Sequence, residues 1–328
     1  MAKKKKDMTS DEIEIAQLIT SKFGKGVVTS LETLIPTYEI NTGSTSLDYI
    51  MGGGIVAGIT EFYGGEGTGK TSLALGLVRS AQQQGIKTYY IDQERGLTAS
   101  LVHNIPGLNA DEFSKNILRP AHGQQAADVI EMVVKQSPKS LIILDSIPAM
   151  ISSAQMDESA SKDFYAPIAK LMSNFLPKIK TLLSEQEICL VFLNQLRMKM
   201  TGYGNPEDTP GGKAIKFYCD RRVELRKAKP IKKGEKQVGH FVKCKVVKNK
   251  YAAPYQMAEV PLIYGKGIDS AWDVAQLAVQ MGIIKKKASW FIYEDKKWQG
   301  ELGMTEALAE DKDTFTEIET QVKGMLAD

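Results

Sequence analysis

The chain has 328 residues, 43% hydrophobic and 25% charged, with a formal net charge of +3. Those proportions suit a folded globular protein with one large core, and they exclude disordered, collagen-like and disulfide-scaffold classes. No apolar run reaches the roughly eighteen residues of a membrane helix, no apolar signal segment follows the N-terminal lysines, and the net charge is too small to establish binding to a polyanion without local concentration of the positive residues.

A lysine-rich tail precedes Asp11 to Phe23, where Ile13, Ile15, Leu18, Ile19 and Phe23 recur at helical spacing until Gly24 and Gly26. Val27-Val28-Thr29 then reads as a short extended piece. A helix and strand this small have too little surface to bury their own apolar face, so they are expected to dock on something else. The main core is expected to start near Ile40. From there strand-like runs at Ile59–Tyr63, Thr88–Ile91, Leu141–Leu144 and Cys189–Leu193 alternate with helix-like runs at Lys70–Gln84, Ala126–Lys135 and Ile168–Leu183. The strands are almost wholly apolar, as strands covered on both faces must be, which predicts a mostly parallel sheet in an α/β fold. Two alternating runs flank the basic turn Lys229–Lys236 and predict an antiparallel hairpin. From about Ser270 a small unit is expected: a helix from Trp272 to Met281, the connector Lys285-Lys286-Lys287, two aromatic strands and a last helix. Trp290, Phe291, Tyr293 and Trp298 should form its core. Cys189, Cys219 and Cys244 have no metal-ligand spacing and read as reduced, buried thiols of a cytoplasmic protein. His103, His122 and His240 form no cluster.

Gly64-Gly65-Glu66-Gly67-Thr68-Gly69-Lys70-Thr71 fits the phosphate-loop pattern between a strand and a helix. Its glycines let backbone N–H groups wrap phosphates, Lys70 would reach the β- and γ-phosphates, and the Thr71 hydroxyl would hold Mg²⁺. The apolar strand Leu141–Leu144 delivers Asp145, an acid placed to order the same magnesium. The strand Thr88–Ile91 ends in Asp92-Gln93-Glu94, expected beside the phosphate-loop strand, where a carboxylate could polarise the attacking water. Asn194-Gln195 ends the fourth strand as an amide pair that could sense the γ-phosphate. Strand C-termini converge on the ligand crevice of such a sheet, so these residues should meet at one ATP–Mg²⁺ site. The segment Leu196–Gly212 is long for a structureless connection, carries Arg197, Lys199 and Met200, and is expected to owe its mobility to Gly202, Gly204, Gly211 and Gly212.

These stretches, together with Asn194-Gln195-Leu196-Arg197-Met198-Lys199, Gly204-Asn205-Pro206-Glu207, Lys216-Phe217-Tyr218 and Val246-Val247-Lys248-Asn249-Lys250, resemble the RecA family of DNA strand-exchange recombinases, of bacterial or bacteriophage type. The resemblance spans nearly the whole chain. It implies an N-terminal polymerisation arm at 1–33, a RecA-like P-loop ATPase core at 34–269 and a small C-terminal α/β domain at 270–328. It implies Glu94 as the catalytic carboxylate, Gln195 as the link between γ-phosphate and DNA loop, and Lys248 and Lys250 reaching the neighbour's ATP. Phe217 would relay nucleotide state across that interface. Two DNA loops are implied, at about Ser152–Phe164 and Leu196–Gly212, with Lys170, Ser173, Arg197, Met198, Lys199, Met200, Gly211, Gly212 and Lys213 contacting DNA. The implied partners are single- and double-stranded DNA, further copies in a helical filament, and loader and single-strand-binding proteins. No membrane partner is expected.

Departures from the family pattern are Leu101 where an aromatic packs on adenine, Met200 where a β-branched residue is usual, Pro177 where an arginine is usual, a second loop one residue shorter, and no acidic tail after the last helix. A ring helicase on the same core would lack the runs after Gln195. A non-catalytic paralogue would not keep Lys70, Thr71, Glu94, Asp145 and Gln195 together.

Overall fold

The computed structural model describes residues 10–24, 27–32, 35–151, 165–184, 186–198 and 207–327. By internal contacts, residues 1–37 and 38–328 form two units. In the first, α1 (Ser10–Phe23) forms as its spacing predicts, and Ile15, Leu18 and Phe23 stand exposed on it. Val27-Val28-Thr29 is not a strand, contrary to expectation. Extended backbone becomes a strand only when a second strand completes its ladder.

The second unit alternates strands and helices. Ser44 caps α2 (Thr45–Met51) by accepting from Leu47 N at 3.1 Å. Then come β1 (Gly58–Gly64), α3 (Lys70–Gln83), β2 (Lys87–Asp92), the short α4 (Ala99–His103) and α5 (Ala110–Ser114), and β3 (Ile117–Leu118). Next are α6 (Gly123–Gln136), β4 (Lys139–Asp145), α7 (Tyr165–Leu183) and β5 (Glu187–Gln195). β6 (Arg197–Met198) pairs with β7 (Glu207–Asp208), and α8 (Gly212–Tyr218) follows. β8 (Arg221–Lys233) and β9 (Lys236–Asn249) form the predicted hairpin, longer than the sequence suggested, and β10 (Met257–Ile263) and β11 (Gly267–Ile268) extend it.

Nine strands make one sheet in the order β11-β10-β9-β8-β1-β5-β4-β2-β3. From β8 to β3 every pairing is parallel, and the hairpin side is antiparallel. Alternation shows why both faces are covered. Leu141 and Ile143 of β4, with Cys189, Val191 and Leu193 of β5, pack with α2 and α3. Ile142, Leu144, Ile188, Leu190 and Phe192 point the other way, against α6 and α7. Each buried aliphatic side chain contributes about 1.5–3 kcal/mol relative to exposure, so a two-sided sheet is the main source of stability. All three cysteines are free and buried. The strand order corrects one expectation: β2 is not beside β1, because β5 and β4 lie between them. Sequence order does not dictate spatial order once helical crossovers connect the strands.

After β11 come α9 (Ser270–Gln280), β12 (Lys285–Lys287), β13 (Trp290–Tyr293), β14 (Lys296–Gln299), α10 (Gly300–Glu310) and α11 (Lys312–Ala327). Phe291 and Tyr293 are buried there and Trp298 is partly so, but Trp290 is 44% exposed and is not core, contrary to expectation. It is the first residue of a four-residue strand in a small sheet, where its alternate face meets solvent. α9 also fastens this region to the main sheet. Trp272 packs edge-on against Phe241, and buried Asp273 accepts from Ser44 Oγ and Ser46 N, each at 3.0 Å. No described helix is long and apolar enough to cross a membrane.

Candidate active site and nucleic-acid interface

The sheet order brings the C-terminal ends of β1, β5, β4 and β2 side by side. Gly64 pairs with Gln195 and Asp92 with Asp145. The loop after β1 wraps into α3 with Gly67 at φ +62° and Gly69 at φ +93°, conformations that favour glycine. A Cβ on Gly69 would sit 2.2 Å from Leu262 Cδ1. Gly69 gives α3 no side-chain cap, so its first-turn N–H groups point at the loop. Thr68 Oγ1 donates to Gly65 O at 3.0 Å, while Glu66 is exposed. Lys70 Nζ donates to the carbonyls of Gly64 (3.2 Å) and Gly65 (2.8 Å). Burial lowers the Lys70 pKa, against the carboxylates of Glu94, Asp145 and Glu66.

Asp145 Oδ2 accepts from Thr71 Oγ1 at 3.1 Å and from Tyr90 OH at 2.5 Å. Burial pushes its carboxyl up to about 6, against those two donors and with the nearby charges of Glu94 and Asp92. A buried carboxylate beside a hydroxyl at the mouth of a glycine loop is a hard-oxygen donor set that suits Mg²⁺ shared with phosphates. The three acidic-strand residues divide their work. Asp92 is buried and held by Arg119 (2.9 Å) and Gly96 N (3.0 Å), and Gln93 turns to Pro120 O. Only Glu94 turns to the site. It arrives there although two strands separate β2 from β1, because Gln93 N and Glu94 N both donate to Asp145 O, at 2.7 and 3.1 Å. Glu94 Oε1 then accepts from Ser146 Oγ at 2.5 Å and from Gln195 Nε2 at 2.7 Å.

The amide pair is split. Gln195 meets Glu94, whereas buried Asn194 points away, donating to Glu61 Oε1 (2.8 Å) and Pro210 O (2.9 Å). Asn194 is therefore no phosphate sensor. It sits in a buried cluster that sequence reasoning missed: Glu61 pairs with Arg222, whose Nη2 donates to Thr209 Oγ1 at 3.4 Å. This cluster ties the return of the second loop, at Thr209 and Pro210, to β1, β5 and β8. The one signal for it was a glutamate inside the apolar run Ile59–Tyr63. Lys227 was also missed. Its Nζ lies 2.8 Å from where a Cβ on Gly67 would stand, against the phosphate loop.

Arg197 and Met198 are exposed at the start of the second loop, their strand pairing with Glu207 and Asp208. Lys199, Met200, Gly202, Gly204 and the loop Ser152–Phe164 lie outside the described residues. Gly211 and Gly212 open α8 at the return of the second loop. Gly211, at φ +97°, is buried as the N-cap of α8, and a Cβ there would sit 2.0 Å from Ile215 Cδ1. Lys213 is exposed on α8, and Lys170 and Ser173 are exposed on α7, with Ser173 Oγ bonded to Ala169 O.

Lys248 and Lys250 lie away from the phosphate loop of their own chain. Lys248 pairs with Arg222, which pairs with Glu61, three residues before Gly64 and so roughly 10 Å back along the strand. Lys248 Nζ donates to Lys216 O (2.9 Å) and Phe217 O (2.7 Å), and burial together with the Lys250 charge lowers its pKa. Lys250 Nζ meets Asp220 at 2.9 Å. Phe217 is 74% exposed, edge-on to Tyr218.

Comparison with known proteins agrees with this geometry. The family model for the RecA N-terminal domain matches residues 12–269, and that for the RecA C-terminal domain matches 273–327. Protein RecA of Sulfurovum sp. is 38% identical over 315 residues, covering 94% of this chain and 90% of the relative. Protein RecA of Ruminococcus albus is 37% identical over 316 residues, with 94% and 79% covered. That of Chlorobium limicola is 35% identical over 337 residues, with 99% and 95% covered. The chain belongs to the RecA family of P-loop ATPase recombinases.

Proposed function

We propose that this chain assembles as a helical filament on single-stranded DNA, pairs it with homologous duplex and exchanges strands, with ATP hydrolysis stimulated by DNA. The observation that carries the reading is the pair of bonds on Glu94 Oε1. One joins it to Ser146 beside the Asp145 strand end, and the other to Gln195, where the second loop begins. One carboxylate oxygen thus touches both the hydrolytic centre and the root of the DNA loop.

In this reading Gly64 to Thr71 cradle the phosphates, and Thr71 and Asp145 hold Mg²⁺, which when bound supplies neutralising charge at the β- and γ-phosphates. Lys70 exchanges its loop carbonyls for phosphate oxygens. Glu94 orients and deprotonates the attacking water. Gln195 leaves or keeps Glu94 according to the γ-phosphate and so moves the Leu196–Gly212 loop, whose Arg197 and Lys199 meet backbone phosphates. Lys248 and Lys250 act on the ATP of an adjacent subunit, a role supported by their position roughly 10 Å or more back along the sheet from their own phosphate loop. Exposed Phe217 packs at the same interface, and residues 1–33 dock their exposed apolar side chains on a neighbour. An arm docking into a neighbour is a heterologous contact, which favours an open filament over a closed symmetric pair. Residues 34–269 form the catalytic core, and 270–328 the small C-terminal domain. The setting is cytoplasmic, with loader and single-strand-binding proteins as further partners.

Negative-stain imaging with single-stranded DNA and a slowly hydrolysed ATP analogue tests this directly. Long helical filaments are expected, and closed rings would favour a helicase.

A further inference from the structure

Asp220 lies between α8 and β8, with its carboxylate almost fully buried. Its Oδ2 accepts from Ile59 N at 2.9 Å and from Lys180 Nζ, and its Oδ1 accepts from Lys250 Nζ at 2.9 Å. One buried carboxylate thus holds two lysines from different elements. Burial alone would raise its pKa, but the Ile59 N–H and the two ammonium groups hold it below the ordinary carboxylate value. The two lysines differ in freedom: the Lys250 side chain is 53% exposed and the Lys180 side chain 34%. Backbone bonds fix the base of Lys250, its N–H donating to Asp220 O at 3.1 Å, so the side chain can leave without moving the strand end.

We propose that Asp220 is a positioning residue that parks Lys250 in the unassembled subunit and releases it to the adjacent subunit on assembly, with Lys180 remaining to neutralise the carboxylate. This rests on the reading that Lys250 acts in trans. Two partners make the release cheap. A buried carboxylate with a single cation would resist losing it, because an uncompensated buried charge is strongly unfavourable. With Lys180 in place, the buried carboxylate stays paired and the departing cation is a half-exposed lysine, so release is expected to shift the equilibrium by only about 2- to 5-fold. Lys248 is engaged differently, on carbonyls at the end of α8 rather than on a carboxylate.

The test is assembly of the full chain on a fluorescent oligo-dT with a slowly hydrolysed ATP analogue, read as the midpoint protein concentration. Asp220→Asn keeps an acceptor oxygen but loses the charge, so Lys250 is freed and the midpoint should fall about 2- to 5-fold. Lys180→Met leaves Lys250 as the sole cation on Asp220, so the midpoint should rise by a similar factor. A merely structural cluster would move both in the same direction, and that result overturns the proposal. If Asp220→Asn does not fold, Lys180→Met decides alone: weaker assembly supports the proposal and unchanged or tighter assembly refutes it. In a Lys250→Ala background both shifts should disappear, and their persistence also refutes it. If Lys250→Ala by itself assembles and hydrolyses like the wild type, the trans reading fails and the proposal fails with it.

Discussion

Replacing Glu94 by glutamine isolates its charge from its contacts. Both bonds it accepts, from Ser146 and Gln195, fall on Oε1, and an amide carbonyl can accept both in place. The fold and the link to the second loop should therefore survive, with a stability change within about 0.5 kcal/mol. What disappears is the basic oxygen proposed to take the proton of water. Losing a positioned general base costs about 10²–10⁴ in rate, or about 3–5 kcal/mol in barrier at 1.36 kcal/mol per decade. The assay is steady-state ATP hydrolysis with single-stranded DNA, alongside titration with a fluorescent ATP analogue. Nucleotide affinity should be unchanged while turnover falls by at least 100-fold. Glu94→Ala, which also removes both hydrogen bonds, should in addition lose the response of DNA affinity to nucleotide. Wild-type turnover by Glu94→Gln would refute the assignment.

Lys248→Ala with Lys250→Ala should leave a folded, nucleotide-binding subunit without DNA-stimulated turnover. Mixing it with Glu94→Gln should restore part of the activity at interfaces that combine an intact Glu94 with intact lysines, and no rescue in verified mixed filaments counts against trans action. Arg197→Ala with Lys199→Ala should weaken DNA binding equally for all sequences and flatten the slope of log affinity against log salt by about 1 per lost phosphate contact; an unchanged slope removes them from the interface. Burial, helped by the charges of Glu39 and Asp273, pushes Asp48 up to about 7 despite donors from Thr42. With the folded value raised, its stabilising contribution is complete only below the unfolded carboxyl value of about 4 and is lost as pH rises from there through about 7. The wild-type Tm should fall by about 2–4 °C more than that of Asp48→Asn between pH 6 and 8, and parallel curves for the two proteins would contradict this.

The phosphate loop could be read from the sequence because backbone phosphate binding demands glycines at fixed offsets, and Asp145 because an apolar strand ending in an acid is a local pattern. Their convergence followed from the parallel sheet. The route by which Glu94 arrives did not. It depends on β4 lying between β5 and β2 and on two N–H bonds to the Asp145 carbonyl, neither of which has a local signature. The Glu61–Arg222 pair joins residues 161 apart in sequence, so its partner choice is fixed only by the β1–β8 register. That same pairing draws Asn194 away from Gln195, although adjacent strand residues always face opposite sides and the split was open to argument. Gly211 shows the limit of composition: glycine permits both a hinge and a left-handed helix cap, and only the backbone angles distinguish them.

The proposed mechanism requires a coupling of Glu94 to the DNA loop through Gln195. Its most direct test is single-stranded DNA affinity across a salt series, measured with an ATP analogue and with ADP, for the wild type and for Gln195→Ala. The wild type should bind DNA more tightly with the ATP analogue at every salt concentration, and Gln195→Ala should bind ATP normally yet show the same DNA affinity with both nucleotides. A Gln195→Ala protein that keeps the full wild-type difference between the two nucleotides would contradict the coupling.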